Sequence, residues 1–426
     1  MDIRPIPRWS EARVLRSLQT HRIASVVGAR QIGKTTMILS ADLPRAEFVS
    51  LDSQRELEQA SADARFFLRR HANARPLVID EVQKAPQLIG EMKYCVDRNA
   101  DKGQFLITGS ADFRKLPQAN ESLAGRVAFT RVRAFAEAEA RGCPPAFLSS
   151  LFAGKLPFQS DFGDFSKERL FELVLKGGYP ELLSVRDPAE RSDWFRSYLS
   201  QQILLDIRDQ WGVRKKDLLE TLMQMTAIFS SKPLVKQAFS GQLAVSKQTL
   251  DRYLSALEAS YMADILPGWA MKDYDRPSAT PRIFSADSGL MASLLGIFTP
   301  GDAIDDAMKS ANEGGKLAET WVYNQLAAEV DLQPLWRMWH LRTKAHEIDF
   351  LIFDEKQRCI AIDAKSSESV NSGDFRHLRW FRELYGPDRV TGIVLYSGSE
   401  LRSCGDGCYA VPAPALWAPE REWERI

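Results

Sequence analysis

Short, wholly apolar runs alternate with longer amphipathic segments along the first part of the chain, the rhythm of buried parallel strands joined by helices. Ile23 to Val27, Pro76 to Asp80, Gln104 to Ser110 and Val127 to Val132 read as strands, and Thr35 to Ala41 opens a helix. The pattern breaks at 141–166, where Arg141, Gly142, Cys143, Pro144 and Pro145 precede a stretch rich in Phe, Gly and Asp. Helical spacing returns from Lys167 through Phe171, Leu173, Val174 and Leu175, and a longer helix is expected through Trp194 to Ile207. Asp206 and Asp209 near its end read as solvated or ion-paired acids, because nothing beside them completes a metal or acid–base set. Three more helices follow, at Leu218 to Phe229, Leu234 to Phe239 and Ser246 to Tyr261. The final third carries an amphipathic helix around Glu319 and strands at 347–352, 359–365 and 390–396.

Gly28-Ala29-Arg30-Gln31-Ile32-Gly33-Lys34-Thr35 is a complete GxxxxGK[ST] loop between the first strand and the helix that continues through Thr36. Glycines there let backbone N–H groups turn inward around phosphates. Lys34 is placed to reach the β and γ oxygens of ATP, and the Thr35 hydroxyl to ligate Mg²⁺. Downstream, the run 76–79 delivers Asp80 and Glu81 at a strand end, one as a magnesium ligand and the other as general base toward the attacking water. Ser110 or Thr108, closing the next strand, stands where the γ-phosphate is sensed; Ser110 is equally placed to cap a following helix. Gly125 closes that helix and Arg126 follows it, as a candidate arginine finger or a helix-end cation.

Residues 20–140 resemble the AAA+ ATPase domain of a broad bacterial and archaeal family whose members join it to a carboxyl-terminal domain of uncharacterised function. The resemblance rests on 28–35, on Asp-Glu-Val-Gln-Lys-Ala-Pro at 80–86, on Thr-Gly-Ser at 108–110 and on Ser-Leu-Ala-Gly-Arg at 122–126. It continues through 313–319 and 347–350, and implies a P-loop ATPase coupled to a nucleic-acid-like module.

The three helices between 215 and 270 are spaced as in a winged helix. Ser246 caps the third, and Lys247, Gln248, Thr249, Asp251 and Arg252 occupy its exposed start, suited to DNA contact or to a protein partner. The last third resembles a PD-(D/E)xK nuclease core. Asp349 begins one apolar strand, while Asp363 and Lys365 end the next on one face. Asp349 and Asp363, completed by Glu319, would bind Mg²⁺ or Mn²⁺, with Lys365 orienting the attacking water. A persistent fold without catalysis is the competing expectation. Trp336 to Lys344 interleaves aromatics with cations as a stacking surface would, though Trp336 suits a core equally. Arg376, Arg379 and Arg382 mark a basic helix.

Composition bounds these readings. The 426 residues exceed one typical core, and 56 basic against 56 acidic side chains leave no global charge to attract nucleic acid. Five scattered cysteines form no disulfide framework, and Cys404 with Cys408 lacks a second pair for zinc. No run approaches a membrane span and the amino terminus lacks a secretory core, so a cytoplasmic protein with no membrane association is expected. The expected class is α/β: a P-loop AAA+ parallel sheet with helices at 1–140, a helical connecting region at 141–214, a winged-helix-like domain at 215–285 and a restriction-endonuclease-like α/β domain at 286–426. Self-association is expected from the finger logic of Arg126.

Overall fold

The computed structural model describes residues 5–110, 125–158, 161–203, 207, 215–270, 279–305 and 310–425. They gather into two compact units, Met1–Arg133 with Ala259–Tyr261, and Ala134–Glu258 with Met262–Ile426. The segment 111–124, which holds the expected helix between Ser110 and Gly125, lies outside the described residues, as do Asp206 and Asp209.

In the first unit the order is α1 (Trp9–Thr20), β1 (Ile23–Val27), α2 (Lys34–Ser40), β2 (Glu47–Ser50), α3 (Gln54–Ala62), α4 (Ala64–Arg70), β3 (Leu77–Asp80), α5 (Gln87–Arg98), β4 (Phe105–Gly109) and β5 (Val127–Arg131). The strands form one parallel sheet in the order β2-β3-β4-β1-β5. Every residue of β1, β3 and β4 is buried, which is why these strands are nearly continuous apolar runs rather than alternating ones. Because β4 separates β1 from β3, the loop after β1 and the acids after β3 both flank the end of β4. Their carboxyl ends share one edge, where open parallel sheets bind ligands.

The second unit begins with α6 (Glu137–Ala140), α7 (Phe147–Phe152), β6 (Lys155–Leu156), α8 (Lys167–Lys176) and α9 (Pro188–Ser197). The long helix expected to reach Ile207 is α9 followed by a π-helical winding at Tyr198–Ile203. Next come α10 (Lys216–Ile228), α11 (Lys236–Gln242), α12 (Lys247–Ala259) and the antiparallel pair β7 (Ala263–Leu266) and β8 (Arg282–Ser285), to which Pro233 adds a bridge at Arg282. Ser246 caps α12 as its sequence suggests, its Oγ accepting from the Thr249 N–H at 3.2 Å.

The remainder runs α13 (Ser288–Leu295), α14 (Pro300–Ile304), α15 (Gly315–Val330), β9 (Arg337–Arg342), β10 (Glu347–Phe353), β11 (Cys359–Lys365), α16 (Arg376–Tyr385), β12 (Val390–Tyr396), β13 (Arg402–Ser403) and β14 (Cys408–Pro412). A six-stranded mixed sheet has the order β13-β14-β12-β11-β10-β9, antiparallel from β9 to β11 and parallel from β11 through β12 to β14. One core holds α7, α8 and α15 with Phe350, Ile352, Ile360 and Ile362; the other holds α16 and Trp269 with Leu351, Phe353 and Val394. Alternation along β10 sends successive residues to opposite cores. Trp336 belongs to the first, its ring edge-on to Phe152 at 4.8 Å, so it offers no stacking platform.

Candidate functional site

Backbone crowding fixes the loop after β1. A Cβ on Gly28 would stand 2.3 Å from the Val132 carbonyl oxygen, so only glycine lets β5 approach. Gly33 enters α2 with φ 89°, again a conformation glycine adopts freely. Ala29 and Ile32 are buried, Arg30 is half-buried, and Gln31 and Thr36 lie exposed at the rim. The Lys34 side chain is buried, its ammonium donating to the carbonyls of Gly28 (3.0 Å) and Ala29 (2.8 Å).

Thr35 Oγ1 donates to the Asp80 carboxylate at 3.3 and 3.4 Å across 45 residues of sequence. A hydroxyl beside a carboxylate is an all-oxygen donor pair that fits Mg²⁺ bound jointly with phosphates. Asp80 also accepts from Thr108 Oγ1, and from Ser50 Oγ at 3.4 Å. Burial pushes its carboxyl above the ordinary range, the Thr108 hydrogen bond opposes, and adjacent Glu81 adds to the rise. Glu81 turns out of the strand with φ 58°, and its carboxylate accepts from Ser110 Oγ at 3.2 Å and from Gln83 Nε2. Thr108 and Ser110 thus divide the end of β4 between the two acids.

Arg126 donates through Nε (2.5 Å) and Nη2 (3.0 Å) to Asp97 at the end of α5, so within this chain it is a surface ion pair. Sequence reasoning missed Arg8. Buried below the loop, Arg8 donates to the Ile32 carbonyl at 2.8 Å and the Arg133 carbonyl at 2.6 Å, bracing the loop. An arginine 24 residues upstream carries no local signal of that role.

In the second unit β10 and β11 bring Asp349 and Asp363 together, and α15 brings Glu319 alongside. Asp363 Oδ1 accepts from the Asp349 N–H at 3.2 Å, and Asp349 Oδ2 accepts from the Ala364 N–H at 3.1 Å. Burial raises the Asp363 carboxyl well above its ordinary value, with the Asp349 charge reinforcing it. Burial and the Asp349 charge also push Glu319 up to about 7. Lys365 Nζ lies 3.7 Å from Asp374 Oδ1.

The unforeseen member is Arg282 of β8. Its guanidinium donates to Asp349 Oδ1 at 3.0 Å through Nη1 and to Glu347 Oε1 through Nη2. Lys232 Nζ lies 4.0 Å from Glu319 Oε1. Among the described residues no group of three or more His, Cys, Asp or Glu side chains is arranged to hold a metal ion. Glu319, Asp349 and Asp363 as they stand therefore do not fit the divalent ion expected from the sequence, because a buried cation of the protein already engages Asp349.

Three family profiles match separate stretches: an AAA domain at 20–140, and two domains of unknown function, DUF8612 at 167–301 and DUF4143 at 314–416. The AAA match spans the loop, Asp80, Glu81, Thr108, Ser110 and Arg126. The chain is 28% identical over 416 residues to uncharacterised proteins of Mycobacterium tuberculosis and Mycobacterium bovis, covering 96% of this chain and 84% of each relative. Among solved structures it is similar to a Walker-type ATPase of Pyrococcus abyssi (13% identity, TM-score 0.40, 69% of this chain and 99% of that one). It is also similar to AMPPCP-bound DnaA of Aquifex aeolicus (12% identity, TM-score 0.29, 58% and 85%).

Proposed function

Because residues 20–140 are an AAA-type P-loop ATPase domain, we propose that the chain hydrolyses ATP to gate binding of DNA by the modules that follow. The convergence of Thr35 on Asp80 at 3.3 Å beside buried Lys34 carries the reading, since these groups have no shared structural task at the end of a sheet. Lys34 binds the β and γ oxygens, while Thr35 and Asp80 hold Mg²⁺, which neutralises charge developing on the phosphates. Glu81 takes the proton of the attacking water, with Ser110 and Gln83 fixing where its carboxylate lies. Arg126, at the surface, serves a neighbouring copy's nucleotide, which makes self-association part of the proposal.

DNA contact is assigned to α10–α12 with β7–β8, a winged-helix-like arrangement. Lys247, Gln248 and Arg252 are exposed at the start of α12, while Asp251 between them is paired with Lys236 at 2.7 Å. A cavity of about 540 Å³ beside it is lined by Lys236, Gln237, Lys247 and Thr280 together with apolar Leu234, Val235, Ala279 and Pro281. A protein partner on the same face is the competing occupant.

Lys34→Ala should abolish ATP binding, measured by titration with a fluorescent analogue. Glu81→Gln should keep binding and lower turnover by about 100-fold or more. Unchanged steady-state hydrolysis in both variants sinks the assignment.

A second reading, Mg²⁺- or Mn²⁺-dependent cutting of DNA, has element order in its favour and the engagement of Asp349 by Arg282 against it, so it requires Arg282 to withdraw. The succession α15-β9-β10-β11-α16-β12 gathers Glu319, Asp349, Asp363 and Lys365 from adjacent elements, as a PD-(D/E)xK core requires.

A further inference from the structure

We infer that Arg282 occupies the cation position of the Glu319–Asp349–Asp363 cluster, so that the β7–β8 pair latches the carboxyl-terminal sheet in a state that excludes metal. This rests on the nuclease-like reading of that sheet. Arg282 is 1% exposed and begins a strand whose every residue is buried. A guanidinium sealed from water persists only where carboxylates answer its charge. Here the fork spans two of them, Asp349 at 3.0 Å and Glu347, while its Nε has no hydrogen-bond partner among the described residues. The charge, rather than full hydrogen bonding, therefore holds it in place.

Two further oxygens of the cluster are held by the backbone, while Glu319 Oε2 is buried with no hydrogen-bond partner among the described residues. Asp349 Oδ2 and Asp363 Oδ1 accept backbone N–H groups at 3.1 and 3.2 Å. A divalent ion needs several oxygens converging on one point, and Arg282 occupies Asp349 Oδ1, the Asp349 oxygen that the backbone does not hold. The second cation comes from the same ladder: Ser231 N–H donates to the Ile283 carbonyl at 2.7 Å and Ile283 N–H to the Lys232 carbonyl at 3.2 Å. Lys232 thus lies in the segment that bridges to β8, one residue before Pro233, the bridge partner of Arg282, and the acids the two cations face come from α15 and the six-stranded sheet. Arginine stays charged at any physiological pH. Opening the cluster therefore requires the ladder to move, not a proton to leave.

The test is Mn²⁺ binding by electron paramagnetic resonance on the nucleotide-free full chain. Arg282→Met keeps side-chain bulk and removes the charge. It should bind Mn²⁺ about tenfold tighter or more than the wild type, and lose that gain when Asp363→Asn is added. Equal binding by wild type and Arg282→Met, abolished by Asp363→Asn, overturns the latch and leaves the metal-site reading standing. No binding by a folded Arg282→Met chain overturns both. If near-ultraviolet circular dichroism finds Arg282→Met misfolded, Arg282→Lys replaces it. That variant keeps a buried cation that cannot bridge two acids, and should gain affinity in the same direction. No gain in it overturns the latch.

Discussion

Single side chains already carry measurable consequences, and Glu329 is the plainest. It lies on α15, fully buried, and accepts the N–H groups of Leu148 (2.9 and 3.1 Å) and Ser149 (3.2 Å) at the start of α7. Burial pushes its carboxyl up to about 7, against the pull of those hydrogen bonds. The folded chain thus binds a proton there that the unfolded chain releases near pH 4.3. Stability from this group is complete below that value and declines as pH rises through about 7. Glu329→Gln should flatten the slope of stability against pH between about 4.5 and 7, followed by urea unfolding at several pH values. His340, lowered to about 4 by burial, contributes the opposite slope over the acidic part of that window, so the comparison must be variant against wild type. At this scale Lys34, Thr35, Asp80 and Glu81 were legible because a motif confines their meaning to a few neighbours. Arg8 and Arg282 were not, since each acquires its role from partners 24 to 125 residues away.

Between elements, fit is set by backbone approach as much as by side chains. Gly178 passes so close to the Phe135 carbonyl that a Cβ would stand 2.2 Å from its oxygen. Its N–H donates to Asp287 Oδ2 at 2.8 Å, and Asp287 in turn caps α13 through Leu290 at 2.9 Å. Gly178→Ala should destabilise the second unit by about 1–3 kcal/mol, read from the midpoint of thermal unfolding. β1, β3 and β4 were recognisable because full burial writes itself as apolar runs, whereas β2 (Glu47–Ser50), with one buried residue, left no such run and was missed. The short helix α7 was not: six residues, Phe147–Phe152, give less than two turns of periodicity. The π-helical winding at Tyr198–Ile203 likewise hides inside an ordinary helical pattern.

Across the whole molecule, basic and acidic side chains balance, so any hold on DNA is local and few-pointed. Lys247→Ala should weaken DNA binding about equally across sequences and lower the slope of log affinity against log salt by about 1, measured by fluorescence anisotropy. An unchanged slope would favour a protein partner on that face. Among the described residues no helix is long and apolar enough to cross a membrane. The pairing of β8 with the carboxylates of β10 was not readable from the sequence, because charge complementarity between distant segments leaves no period. That pairing has one more implication. Arg282 is a competitor tied to its own target, so its effective concentration is set by chain geometry and is the same in a dilute extract as in a crowded cell. Flooding the protein with metal meets a rival that dilution cannot weaken, whereas slackening one short strand disarms it.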